Sequence, residues 1–249
     1  MVAWLSGSLA IVAAAVIGIA LAAQGGTRAT SLAAAAVPAT AAATATAVPA
    51  TASPSAAASA SAACPNVNVV FARGTGEPAG LGMVGAPFAS ALAADLPGMT
   101  VTDYAVNYAA NVQQTSAGPG ATDMSQHIIA MAAQCPNTQF VIGGYSQGAS
   151  VTDIAIGIPT ALGTGTTIPT SLSSRVDAVV AFGNPLRLSG QTIVANSALY
   201  GAKADEFCNA GDPVCGNGAN IAAHLMYAAN GDAAAGAQFA AGKVTAAAG

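Results

Sequence analysis

Between residues 144 and 148 the chain reads Gly144-Tyr145-Ser146-Gln147-Gly148, a G-x-S-x-G pentapeptide. A short apolar run of strand character, Gln139 to Gly143, stands before it, and a helical pattern, Ala149 to Gly157, follows. The motif therefore falls at a sharp strand-to-helix reversal, where the central residue is strained and its neighbours must be small. Gly144 and Gly148 meet that need. Ser146 would present its hydroxyl at a helix N-terminus, where partial positive charge and free N–H groups favour an oxyanion. The chemistry to expect is nucleophilic attack on an acyl carbon. A serine hydroxyl attacks poorly until a base takes its proton, and that base is normally a histidine oriented by a carboxylate.

The chain has two histidines. His127 precedes Ser146 in the middle of a helical pattern, whereas α/β-hydrolases run serine, then Asp or Glu, then histidine. That order selects His224 as the base and leaves His127 a structural position on a helix. Between Ser146 and His224 lie Asp153, Asp177, Asp205, Glu206 and Asp212. Asp153 is two helical turns beyond the serine, and Asp177 opens a strand at the edge away from the chemistry. Asp205 and Glu206 are candidates that no feature fixes. Asp212 sits between Cys208 and Cys215, twelve residues before His224, where a clamped loop can hold a carboxylate within reach of the imidazole. It is the expected partner.

An oxyanion hole needs two donors aimed at the developing charge. One is the backbone N–H of Gln147, the residue after the nucleophile; the other belongs to the loop after the first strand, Arg73-Gly74-Thr75-Gly76-Glu77. Thr75 offers an N–H and a hydroxyl there. Arg73 and Glu77 are read as a pair bracing the loop.

The elements that must position these groups alternate. Val67 to Ala72, Met99 to Val106, Gln139 to Gly143 and Val176 to Phe182 read as the strands, and Gly82 to Leu96, Thr122 to Gln134 and Ala149 to Gly157 as helices. Runs rich in Val, Ile and Phe between helical stretches predict a central parallel sheet covered on both faces, a three-layer α/β architecture. In such a sheet Cys64 and Cys135 each stand just before a strand, at one edge, while Cys208 and Cys215 follow the last strand. The expected disulfides are Cys64–Cys135 and Cys208–Cys215.

Of 249 residues, 53% are hydrophobic by type and only 6% are charged. The mean hydropathy of +0.56 reflects alanine more than a greasy core, and only the first two dozen positions approach the length of a membrane span. Residues 1–23 read as a signal peptide or an uncleaved N-terminal anchor, with no Lys or Arg ahead of the apolar run. Residues 24–63, dense in Ala, Thr, Ser and Pro, read as a disordered linker. Residues 64–249 then form one domain, expected to be monomeric and secreted, with association to a membrane or cell envelope left to the N-terminal segment. All ten acidic residues and five of the six basic ones follow Cys64 without a Lys/Arg cluster, which argues against nucleic acid. No metal and no cofactor is expected, because the cysteines are assigned to disulfides and the two histidines lie far apart.

The segments FARGTGE at 71–77, GGYSQG at 143–148, CNAGDPVC at 208–215 and HLMY at 224–227 together resemble the cutinases, most closely the actinobacterial cutinase-like proteins. The resemblance runs from Cys64 to about Val244. It implies a lidless α/β-hydrolase acting as a serine esterase, with Ser146, Asp212 and His224 as triad, Thr75 and Gln147 in the oxyanion hole, and the same two disulfides. Fungal members usually carry Ser-Thr where this chain has Thr75-Gly76, and a Tyr-Pro pair where it has Tyr108-Ala109. Leu81, Val214, Ile221 and Leu225 are candidates to contact an acyl chain, by proximity to these motifs. The substrate expected is an ester or a lipid. Acyl transfer to an alcohol by the same triad, and a non-catalytic surface protein on a hydrolase scaffold, are the alternatives.

Overall fold

The computed structural model describes residues 63–249; the readings of residues 1–23 and of the 24–63 spacer, but for its last residue, lie outside the described residues. The order of elements is β1 (Val67–Ala72), α1 (Gly82–Asp95), β2 (Val101–Ala105), α2 (Ala117–Gln134), β3 (Gln139–Tyr145), α3 (Gln147–Ala155), β4 (Val176–Phe182), α4 (Ile193–Asn196), β5 (Ala204–Phe207), α5 (Ile221–His224) and α6 (Asp232–Ala248). The strands form one sheet in the order β2-β1-β3-β4-β5, parallel throughout.

Because β1, β3 and β4 are buried on both faces, their sequences are nearly continuous apolar runs, and the period of two decides which layer each residue serves. Val70, Ala72, Ile142 and Val179 pack on the side of α2 and α3. Val69, Phe71, Val141 and Val180 pack on the side of α1 and α6. There Phe71, Phe88 and Phe182 meet with ring centroids 5.7 to 6.2 Å apart. One irregularity between Phe140 and Val141 lets β4 carry an extra residue opposite β3. Asp177 occupies that extra position, at the start of its strand as read from the sequence.

Four elements were not among the sequence readings, of which α4 and α5 are single turns of four residues. Strand β5 is only four residues, Ala-Asp-Glu-Phe, too short and too acidic to announce itself, yet it suits a sheet edge where charge discourages further pairing. Helix α6 buries Ala233, Ala237, Ala240, Ala241 and Val244, an apolar face so small-sided that the alanine-rich background hides it. Helix α2 begins at Ala117, five residues before the predicted start, because Pro119 falls in the first turn where backbone N–H groups need no partner.

The sheet order locates the functional edge. From β1 the chain passes outward through α1 to β2, and from β3 it passes outward through α3 to β4. The loops after β1 and β3 therefore diverge to opposite faces, and ligands bind at such a switch point, beyond the strand C-termini. Disulfide Cys64–Cys135 lies at the opposite edge, with a Cα–Cα separation of 5.5 Å, and Cys208–Cys215 follows β5, with a separation of 5.8 Å.

Candidate active site

Ser146 follows β3 directly and has φ 57° and ψ −119°, a conformation that a non-glycine residue adopts only when its surroundings enforce it. Its N–H donates to the carbonyl of Phe182 at 2.9 Å. The neighbouring glycines are required sterically: a Cβ on Gly144 would stand 2.0 Å from the carbonyl oxygen of Gly148, and one on Gly148 would stand 2.0 Å from that of Ala72. Helix, strand and nucleophile candidate are thus locked together. Ser146 itself stays partly exposed.

Gln147 opens α3, where the first N–H groups lack partners within the helix. Its buried side chain anchors the turn, accepting from the Ser116 hydroxyl at 3.0 Å and donating to the Asn111 carbonyl at 2.9 Å. Across the switch point, the Thr75 hydroxyl accepts a hydrogen bond from the side chain of Gln114 at 2.8 Å. That leaves the hydroxyl hydrogen of Thr75 free to donate elsewhere. Gln114 has φ 61°, and the two loops are further joined by the Gly76 N–H donating to the Ala110 carbonyl at 2.7 Å. Gln114 had no sequence signal beyond its amide.

The Thr75 loop is braced by Arg73 and Glu77, as read from the sequence, but through the backbone and not as an ion pair. Arg73 donates to the carbonyls of Glu77, Val106 and Tyr108. Glu77 accepts from the N–H groups of Gly74 at 2.5 Å and Met83 at 2.6 Å. The side chains therefore tie the loop after β1 to the start of α1 and the segment after β2.

His224 ends α5 and is 5% exposed. Its Nδ1 lies 2.8 Å from Oδ2 of Asp212, its carbonyl accepts from the Tyr145 hydroxyl at 2.8 Å, and its ring stands 4.9 Å from that of Tyr145. Gly183, just past β4, has φ 59°, and a Cβ there would come within 2.6 Å of the imidazole. Only glycine leaves room for the ring.

Asp212 is fully buried. Besides His224 it accepts from the Tyr227 hydroxyl at 2.5 Å and, through Oδ1, from the Val214 N–H at 2.7 Å. Burial pushes its carboxyl up, but the hydrogen bonds from Tyr227, His224 and Val214 outweigh burial and hold it below the usual carboxylate range. The phenol of Tyr227 is raised by burial and by its bond to Asp212, so it remains a donor. Tyr227 also accepts from the Asn209 N–H at 3.1 Å, within the loop that Cys208–Cys215 closes. Sequence reasoning quoted Tyr227 within a motif but assigned it no part.

Three of the other carboxylates are engaged elsewhere. Asp153 and Glu206 share the side-chain amide of Asn184, each at 3.1 Å, while Asp205 accepts from the N–H of Glu206. Burial pushes Asp153 up to about 8, the Asn184 bond drawing it down and the Glu206 charge adding to the rise. His127 is half-buried in α2, stacked on Tyr104 and bonded to Asn68 at 2.9 Å. Of the acyl-chain candidates, Ile221 and Leu225 are exposed beside His224, Val214 stands next to Asp212, and Leu81 lies in a different setting. It packs on the core beneath α1 and lines a cleft of about 220 Å³ with Ala86, Ala89 and Val101. Among the described residues no group of three or more His, Cys, Asp or Glu is placed to hold a metal.

Comparison with known proteins gives the family of the chain. The family model described as Cutinase matches residues 63–244. A cutinase of Kineococcus radiotolerans is 57% identical over 186 residues, which take in 74% of this chain and 63% of that protein; the chain thus matches less than two thirds of that relative's length. The phospholipase Culp4 of Mycobacterium tuberculosis is 44% identical over 165 residues, 66% of this chain and 73% of the relative. Among solved structures, a Trichoderma reesei cutinase in complex with a phosphonate inhibitor aligns with a TM-score of 0.58 and 33% identity, over 73% of this chain and 77% of that one. With the family model covering nearly all the described residues, the chain belongs to the cutinase family.

Proposed function

We propose that the protein hydrolyses carboxylic esters through an acyl-enzyme formed on Ser146. His224 takes the hydroxyl proton as Ser146 attacks the carbonyl carbon, and Asp212 holds the imidazole in the required tautomer and stabilises the imidazolium. The carbonyl oxygen, now negative, receives hydrogen bonds from the Gln147 N–H and from Thr75. His224 returns the proton to the departing alcohol, and water repeats the sequence to release the acid.

The observation that carries this reading is the buried 2.8 Å contact between His224 and Asp212, beyond the strand C-termini at the edge where Ser146 follows β3. Relatives described as a cutinase and a phospholipase support esters of lipids or polyesters as the substrate class. Secretion is proposed from the apolar run in residues 1–23 followed by the 24–63 spacer, and from the two disulfides of the 64–249 domain, which persist in oxidising compartments.

The test is hydrolysis of p-nitrophenyl butyrate together with labelling by a fluorophosphonate. Ser146→Ala should lose about a million-fold in turnover and all labelling. Asp212→Asn should lose about 10,000-fold while Asp205→Asn stays near wild type. Activity of Ser146→Ala within about tenfold of wild type overturns the nucleophile; full activity of Asp212→Asn overturns the carboxylate.

A further inference from the structure

A cleft of about 470 Å³ opens between the segment after α3 and the segment after β4, lined by Ser150, Pro159, Ala161, Leu162, Leu186 and Leu188 among others. No charged residue lines it, so it offers nothing to an anionic headgroup. Leu188, on its rim, is 56% exposed, a large apolar side chain left in water in a run, 187–191, that is exposed throughout beyond the buried Leu186.

Two relationships tie the cleft to the site. Ser150 is one helical turn after Ser146, its N–H donating to the Ser146 carbonyl at 3.4 Å, so the cleft begins about 6 Å along α3 from the candidate nucleophile. Ala161 and Leu162 also line a second cleft of about 380 Å³ with Gln113, Gln114 and Thr115. Gln114 is the residue that holds the Thr75 hydroxyl. The two clefts therefore adjoin at Ala161 and Leu162, and the smaller one, lined by polar side chains at its other end, reaches the segment that holds the candidate oxyanion residue. A concave apolar space of this size, next to a reacting centre and without charge, suits a hydrocarbon chain.

We infer that this cleft binds an aliphatic chain of the ester whose carbonyl is attacked by Ser146, an inference that rests on the esterase reading above. The chain belongs to either the acyl or the alcohol part of the ester, and the experiment separates the two. Each buried methylene is worth about fourfold in binding, so blocking the cleft removes the advantage of long chains.

The experiment uses the full chain and two variants, Ala161→Trp, which projects a large ring from an exposed position into the cleft, and Leu188→Ser, which strips its exposed rim. The readout is a ratio of kcat/KM values within each protein, long chain over short, so that any change in the chemistry common to both substrates cancels. One series compares p-nitrophenyl dodecanoate with p-nitrophenyl butyrate; the other compares dodecyl butyrate with butyl butyrate. In one series the ratio should fall about tenfold or more in Ala161→Trp and about fourfold in Leu188→Ser, and the series that responds identifies the part of the ester bound. Ratios within twofold of wild type in both series and both variants overturn the inference. Failure of the esterase reading is seen separately, as a wild-type protein that fluorophosphonate does not label at Ser146.

Discussion

Tyr227 donates its phenolic hydrogen to Oδ2 of Asp212 at 2.5 Å, the same oxygen that faces Nδ1 of His224. A buried carboxylate with a single partner would carry a large desolvation cost, and the phenol offsets part of it. Tyr227→Phe should therefore destabilise the fold by about 1.5–3 kcal/mol in urea unfolding. It should also lower kcat by much less than Asp212→Asn does, because Val214 and His224 still hold the carboxylate. Equal losses in the two variants would show that the phenol does more than position Asp212.

Gln114 and Thr75 form the second relationship to test. Gln114→Asn tolerates the left-handed backbone of that position but its shorter amide falls short of the Thr75 hydroxyl. The hydroxyl then loses its fixed orientation. A fall in kcat with KM held is expected, smaller than the roughly 100- to 1,000-fold expected for removing an oxyanion donor outright with Thr75→Val. A change in KM alone would place Gln114 in substrate binding.

Asp153 links stability to pH. Its pKa is pushed up to about 8 in the folded protein, chiefly by burial, against about 3.9 in an unfolded chain. Because the folded state binds this proton more tightly, its contribution is complete below about pH 4 and is lost as pH rises toward 8, at a limiting slope of about 1.4 kcal/mol per pH unit. Asp153→Asn cannot titrate. Its unfolding midpoint relative to wild type should rise between pH 5 and pH 9; a constant difference across that range would contradict the buried acid.

The two disulfides should separate stability from activity. Opening the 71-residue span of Cys64–Cys135 with a double serine variant should cost about 4 kcal/mol, and opening the seven-residue span of Cys208–Cys215 about 2 kcal/mol. The order for kcat should be reversed, since the short loop carries Asp212 while the long one closes at the far edge of the sheet. Chemical denaturation and ester hydrolysis on the two variants measure both.

The strands β1, β3 and β4 were legible because strands buried on both faces must be continuous apolar runs, and β4 was read to the residue. The elbow was legible because a strand-to-helix reversal this tight admits only Gly144 and Gly148 beside Ser146. Helix α6 and strand β5 were not: alanine against alanine gives no amphipathic contrast, and Ala-Asp-Glu-Phe has no apolar run. Arg73 and Glu77 looked like partners by charge, yet backbone groups brought in by folding took both side chains.

By itself the sequence determined the order Ser146, Asp212, His224 and the scarcity that made assignment possible, since two histidines and few acids leave little choice. It also carried the disulfide framework, because cysteine position relative to strands follows from the alternation of elements. Only the tertiary structure decided that Tyr227 completes the shell of Asp212, that Gln114 orients Thr75, and that the segments after α3 and β4 enclose an apolar cleft beside Ser146. Those contacts join residues 15 and 39 positions apart through single hydrogen bonds between irregular segments. Such bonds leave no periodicity in the chain, because they depend on where the sheet brings its loops together and not on the residues between them.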